Sequence, residues 1–301
     1  MKRIIIAGGT GFLGSILTRY FSEGYQITIL TRGEPKIEDG VEYVHWDGRT
    51  MGTWSSVLEH ADVVINLNGK SVDCRYTEKN KRLIYATRLE STAAIGQAIQ
   101  KCINPPKLWI NASSATIYRH SLDKEMDEYS GEYGSGFSVD VCQKWESIFN
   151  SFNLTNTRKI ALRTGIVFGK NGGPLKPLFA LAKIGLGGKH GTGNQYFSWL
   201  HETDFAGIIS FIMNHAEMQG VYNVTVPIPN TNDDVMRAIR KAVGVSFGMP
   251  LPQWLLEFGA FLIRTETELI LKSRRVVPRR LLESGYQFRF EKIDEAIASL
   301  L

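Results

Sequence analysis

The sequence predicts an α/β fold, a doubly wound parallel sheet with a small C-terminal lobe. Three observations predict it. Short apolar runs alternate with helix-period runs from the first residues onward. Those runs do not alternate apolar with polar positions, so they read as strands buried on both faces, the condition of a parallel sheet covered by helices. Four glycines, Gly8, Gly9, Gly11 and Gly14, stand at the first junction of strand and helix.

The elements follow in order. Residues 4–7 read as the first strand, and 12–20 as a helix on Phe12, Leu13, Ile16, Leu17 and Tyr20. Strands are expected at 25–30, 42–46 and 62–67, then a long helix at 83–99. A fifth strand is expected at 108–112, a helix at 139–149 and a sixth strand at 160–168. Right-handed crossovers join such strands. Past residue 168 the pattern breaks at Gly172-Gly173-Pro174 and in the glycine-rich run 185–193. A helix returns at 203–215 and a strand at 221–226. Pro227, Pro229, Pro250 and Pro252 then punctuate irregular chain, before helices near 253–263, 278–284 and 292–301. The expected division is a nucleotide-binding domain over 1–168, completed by about 200–226. A smaller substrate lobe, from 169–199 and 227–301, is interleaved with it.

Composition narrows the function classes. The chain has 301 residues, 43% hydrophobic and 22% charged, an ordinary globular balance. A net charge of +5 is mild for this length, and the cations are scattered apart from Arg274-Arg275 and Arg279-Arg280. Nucleic acid is therefore not an expected partner. Cys74, Cys102 and Cys142 form neither a disulfide framework nor a metal-ligand spacing, so no metal is expected. The apolar stretch 254–263 is interrupted by Glu257 and is too short to span a bilayer. With the first strand expected to start at Lys2 or Arg3, no cleavable leader is expected. Together these point to the cytoplasm, a small-molecule substrate and a monomer or homodimer.

The glycines have a physical purpose. Gly9, Gly11 and Gly14 fit G-x-G-x-x-G, between a strand and a helix at the head of a βαβ series. One glycine serves the tight turn, one lets a pyrophosphate touch main chain, and one lets the helix pack on the sheet. The helix N-terminus then faces the phosphates. The expected domain is thus Rossmann-type, with Gly8, Thr10, Gly11, Phe12, Leu13 and Gly14 forming the cradle. An NAD site offers an acid at the end of the second strand. Here that strand ends Leu30-Thr31-Arg32-Gly33. Arg32 suits a 2′-phosphate, so NADP is expected over NAD; the alternative is an Arg32 that points into water. Asp47 is placed to reach the adenine, and Leu67, Asn68 and Gly69 to line the cofactor's ribose. A surface Asp or a turn-forming Asn-Gly competes with each assignment.

Motifs further on carry a resemblance. Ser113-Ser114-Ala115-Thr116-Ile117-Tyr118, with the glycine loop, resembles the extended short-chain dehydrogenase/reductase superfamily. So do Arg163-Thr164-Gly165-Ile166-Val167-Phe168-Gly169 and the segment from Ser198 to Asp204. The runs 137–146, 187–195, 198–201 and 276–286 are similar to a subgroup known as epimerase family proteins. The resemblance implies that Ser114 orients the reacting oxygen and that Lys144 holds the nicotinamide ribose. It also implies substrate contacts for Arg163, Gln195, Trp199 and His201. Capping or core packing competes for His201 and Trp199.

The superfamily's Tyr-x-x-x-Lys pair is missing. Four residues before Lys144 stands Asp140. Three readings follow. Asp140 itself takes the proton, although an exposed carboxyl titrates near about 4. A tyrosine from elsewhere acts, with Tyr118 and Tyr133 as candidates. Or no hydride chemistry occurs and the protein binds NADP as a sensor or scaffold. A plain surface ion pair of Asp140 with Lys144 stands beside all three. The expected function is an NADP-dependent oxidoreductase or nucleotide-sugar epimerase-like enzyme acting on an alcohol or carbonyl.

Overall fold

The structure, a computed structural model, describes residues 1–257 and 271–301. The N-terminal half opens with β1 (Lys2–Ala7), α1 (Phe12–Phe21), β2 (Tyr25–Thr31), β3 (Lys36–Glu38), β4 (Val41–His45) and β5 (Val63–Asn66). The long α2 (Glu78–Lys101), β6 (Leu108–Ser114), α3 (Phe137–Ser151) and β7 (Arg158–Thr164) follow. Then come β8 (Ile166–Phe168), α4 (Leu175–Lys183), β9 (Tyr196–Phe197), β10 (Trp199–His201) and α5 (Glu202–Asn214). The described chain closes with β11 (Gly220–Val224), β12 (Asn230–Thr231), α6 (Asn232–Ala242), α7 (Arg279–Glu283) and α8 (Ile293–Ala298).

Eight strands form one sheet in the order β11-β7-β6-β5-β1-β2-β4-β3. Every pairing is parallel except that of β3 with β4. The chain order reverses between β1 and β5, which opens a crevice at their carboxyl ends. The apolar runs have the expected cause. Ile4 and Ile6 enter one core with α1, α5 and α6, while Ile5 and Ala7 enter another with α2 and α3. All four are 0% exposed, so β1 is buried on both faces.

The structure corrects several expected elements. The strand expected at 160–168 is two, broken at Gly165, where a Cβ would lie 2.2 Å from the Ser198 carbonyl oxygen. The short β8 turns away from the main sheet to pair with β10. Chain expected to be irregular after Pro227 contains α6, which starts on a capping box between Thr231 and Asp234. The broken stretch after Gly173 contains α4, and the edge strand β3 was not expected. The helix expected near 253–263 is described over 253–257, and its remainder lies outside the described residues. Among the described residues no helix is long and apolar enough to cross a membrane, and no cluster of metal-ligating side chains occurs.

Candidate functional site

The glycine loop separates the needs of the fold from those of a ligand. Gly8 has φ +78°, a left-handed conformation that side chains resist, and its N–H donates to the Leu30 carbonyl at 3.3 Å. A Cβ on Gly14 would lie 2.4 Å from the Gly9 backbone. Both glycines are therefore required for the chain to fold as it does. Gly11 is different. It is extended, with φ −83°, and a Cβ there would meet only the Gly8 oxygen, at 3.4 Å. Nothing in the protein requires its hydrogen side chain. No side chain caps α1, so the first-turn N–H groups beyond Gly11 keep their affinity for an anion. Thr10 and Gly11 are exposed, Phe12 and Leu13 half-buried. Phe12 underlies the turn after β8, where a Cβ on Gly172 would lie 2.5 Å from its ring.

The other expected cofactor residues gather at the same crevice. The Leu67 N–H donates to Ala7 O at 2.9 Å, tying the end of β5 to the end of β1. Asn68 stands between Gly8 and Gly48, within 2.8 and 3.5 Å of where their Cβ atoms would be. Gly69 lies against the Arg88 guanidinium, 3.0 Å from its would-be Cβ. Asp47, beside Gly48, spends its carboxylate on its own turn, accepting from Arg49 N, Thr50 N and Thr50 Oγ1. Arg32 is exposed just past β2. Beside it, Thr10, Thr31, Gly33 and Lys36 help line a cavity of about 810 Å³.

The expected reacting groups divide in two. Ser114 ends β6 half-buried, its hydroxyl donating to Thr116 Oγ1 at 2.9 Å. On α3, Lys144 Nζ lies 2.8 Å from Asp140 Oδ2, with both side chains about half exposed (56% and 43%). Tyr85 of α2 donates its hydroxyl to the same Asp140 oxygen. The Lys144 ammonium and then the Tyr85 hydroxyl hold the Asp140 carboxyl below the usual carboxylate range. Burial, then Asp140, pushes the Tyr85 phenol up to about 12.

Tyr118 and Arg163 belong to a separate, buried cluster. Tyr118 is 0% exposed, donates to Asn223 Oδ1 at 3.0 Å and accepts from Arg163 Nη1 at 2.8 Å. Burial pushes its phenol up to about 12. Arg163 forms a two-pronged pair with Glu146, at 2.8 and 2.7 Å, and also reaches the Tyr133 hydroxyl at 2.6 Å. Ser113 donates to Glu146 as well, at 2.6 Å. These groups fasten β6, β7, β11 and α3 together. Tyr118 and Arg163 are thus held inside this cluster by bonds to the protein.

The remaining expected substrate residues are likewise built into the interior. Trp199 stacks on Phe168 with ring centroids 5.8 Å apart, and its Nε1 donates to Asn230 at 2.8 Å. His201 caps α5 by accepting from Thr203 N at 3.0 Å, and its ring lies 4.0 Å from that of Phe290. Gln195 is buried and donates to the His190 carbonyl at 2.9 Å.

Sequence reading missed three positions of consequence: Tyr85, Thr92 and Glu146. The signal for the first two was a polar stripe Tyr85, Arg88 and Thr92 at i, i+3 and i+7 of a predicted helix. Thr92 accepts from Asn66 Nδ2 at 3.1 Å and from Trp145 Nε1 at 2.8 Å, so it joins α2, β5 and α3 behind the crevice.

The comparisons agree with this geometry. Residues 4–225 match the NAD dependent epimerase/dehydratase family, and 251–300 a domain of unknown function, DUF1731. The chain is 30% identical over 306 residues to the epimerase family protein SDR39U1 of Bos taurus, covering 99% of each. It is 32% identical over 301 residues to the epimerase family protein YfhF of Bacillus subtilis, covering 99% of this chain and 97% of that one. A crystal structure of human SDR39U1 with NADPH superposes with a TM-score of 0.89 at 30% identity, covering 99% of this chain and 98% of that one. With a sheet that reverses at the glycine loop and a family match across most of its length, this chain belongs to the NAD-dependent epimerase/dehydratase family.

Proposed function

We propose that the protein is an NADP(H)-dependent oxidoreductase of epimerase type, acting on an alcohol or carbonyl in the crevice between β1 and β5. The observation that carries the reading is Gly11, a bare position that the fold does not need, at an uncapped helix N-terminus. An anionic diphosphate explains both features. Gly8, Thr10, Gly11, Phe12, Leu13 and Gly14 would hold it. Asp47, Leu67, Asn68 and Gly69 would line the adenosine and ribose, and Lys144 the nicotinamide ribose. Arg32, exposed at the end of β2, would read a 2′-phosphate, which favours NADP(H) over NAD(H). The human relative crystallised with NADPH supports that choice.

Bound dinucleotide supplies the hydride. The protein's own part is to bind, orient and move a proton. Ser114 would orient the substrate oxygen at the end of β6, and the Asp140–Lys144 pair would stand beside it on α3. The pieces 169–199 and 227–301 would form a lobe over the crevice, with the protein acting in the cytoplasm. The test is a titration with NADPH and NADH, followed by NADPH oxidation with aldehydes, ketones and nucleotide sugars. The reading expects tighter binding of NADPH and turnover that falls at least tenfold in Ser114→Ala. A carboxylate where the superfamily has a tyrosine favours a second reading, a non-catalytic NADP(H) sensor. Tight NADPH binding with no turnover of any substrate would select it.

A further inference from the structure

Helix α3 lacks a phenol, yet a phenol reaches it. Tyr85, from α2, is hydrogen-bonded to the carboxylate of Asp140, the residue four before Lys144. Lys144 Nζ also lies 5.0 Å from the centre of the Tyr85 ring. The three groups close a triangle. The ring is fixed by Phe137, packed edge-on at 5.4 Å and 87°. Phe137 is held in turn by Tyr76 at 4.8 Å. The other tyrosines near α3 are differently occupied. Tyr118 is buried on Asn223 and Arg163, Tyr133 accepts from Arg163, and Tyr76 sits 3.3 Å from the Ser138 hydroxyl.

We propose that Tyr85 is the proton donor of this site, supplying from α2 the phenol that α3 lacks, with Asp140 and Lys144 linking it to solvent. This rests on the NADP(H)-dependent reading above. In the reducing direction a hydride from the reduced dinucleotide adds to the carbonyl carbon, and the π electron pair moves to oxygen. That oxygen takes the Tyr85 hydroxyl proton. The dinucleotide loses two electrons and the carbonyl becomes an alcohol. The phenolate recovers a proton through Asp140 from the Lys144 ammonium, and Lys144, more than half exposed, recovers its own from water. Atoms and charge balance over the cycle.

An alkoxide is a stronger base than a phenolate, so the reduced carbonyl oxygen can take the Tyr85 proton even though burial and the Asp140 carboxylate push that phenol up.

The experiment joins rate, affinity and spectroscopy on the full chain. NADPH oxidation is measured with a panel of aldehydes and ketones for wild type, Tyr85→Phe and Asp140→Asn, beside NADPH affinity by fluorescence. Ring-labelled tyrosine NMR, assigned by the resonance lost in Tyr85→Phe, follows ionisation of the phenol without cofactor. The proposal expects a loss of about 100-fold in Tyr85→Phe, with NADPH affinity within twofold. It expects Tyr85 to remain protonated through pH 10.5 in wild type and to ionise at least one pH unit earlier in Asp140→Asn. An active wild type with Tyr85→Phe within twofold of it overturns the proposal alone. So does a Tyr85 resonance indifferent to Asp140→Asn. A wild type that binds NADPH and reduces no carbonyl overturns the functional reading, and Tyr85 as a donor with it.

Discussion

Single residues separate the demands of folding from those of binding. Gly14→Ala forces a Cβ to within 2.4 Å of the Gly9 main chain, and strain of that kind costs about 1–3 kcal/mol or more. A lowered urea midpoint would register it. Arg163→Met leaves the Glu146 carboxylate, 9% exposed, without its cation, a loss of about 3–5 kcal/mol. That loss would also appear in urea unfolding, with no need for cofactor. Arg32→Asp is expected to leave stability unchanged, because Arg32 is exposed. It should instead shift preference from NADPH towards NADH, and equal NADPH affinity in the variant would remove Arg32 from the site. The glycine loop was legible because its spacing reports a backbone requirement directly. The buried fates of Tyr118 and Arg163 were not, since a sequence motif does not tell whether a polar side chain is claimed by its neighbours. Glu146 claims Arg163 from another element, 17 residues away.

At the scale of elements, the hub at Thr92 holds the two helices that frame the crevice. Thr92→Val keeps the shape but leaves the buried Trp145 N–H without its acceptor, while the Asn66 amide keeps its bond to Asn111 Oδ1. Each unpaired buried donor costs about 1–3 kcal/mol. Thermal or urea unfolding should show a drop of that order, and an unchanged midpoint would remove Thr92 as a hub. The central strands and the helices between them were legible because burial on both faces leaves continuous apolar runs. The edge strand β3 left no such trace, as all three of its residues are exposed. Strands β8, β9, β10 and β12 have two or three residues each and no period to read. Helix α6 did carry a signal, the Thr231–Asp234 capping box followed by Val235, Met236, Ala238 and Ile239. The nearby prolines at 227 and 229 drew the reading away from it.

For the whole molecule, the interior histidines set a limit in acid. Burial lowers His190 to about 4, and neither of its ring nitrogens has a hydrogen-bond partner. Burial, then Arg289, lowers His201 to about 4 as well. Between about 4 and the ordinary value of 6.5 the unfolded chain binds more protons than the folded one. Stability therefore holds above pH 6.5 and falls as pH drops through that window. Urea midpoints at pH 7 and pH 5 measure the slope, which should flatten in His190→Leu combined with His201→Asn. An unchanged slope would place the acid sensitivity elsewhere.

The central claim is that a dinucleotide diphosphate rests on bare main chain at Gly11. Its most direct test is NADPH affinity and melting temperature, measured together, for wild type and Gly11→Ala. The account predicts an affinity reduced at least tenfold with melting unchanged, because the added methyl meets the ligand and leaves the protein undisturbed. A Gly11→Ala protein that binds NADPH as tightly as wild type, or a wild type that binds none, would contradict it.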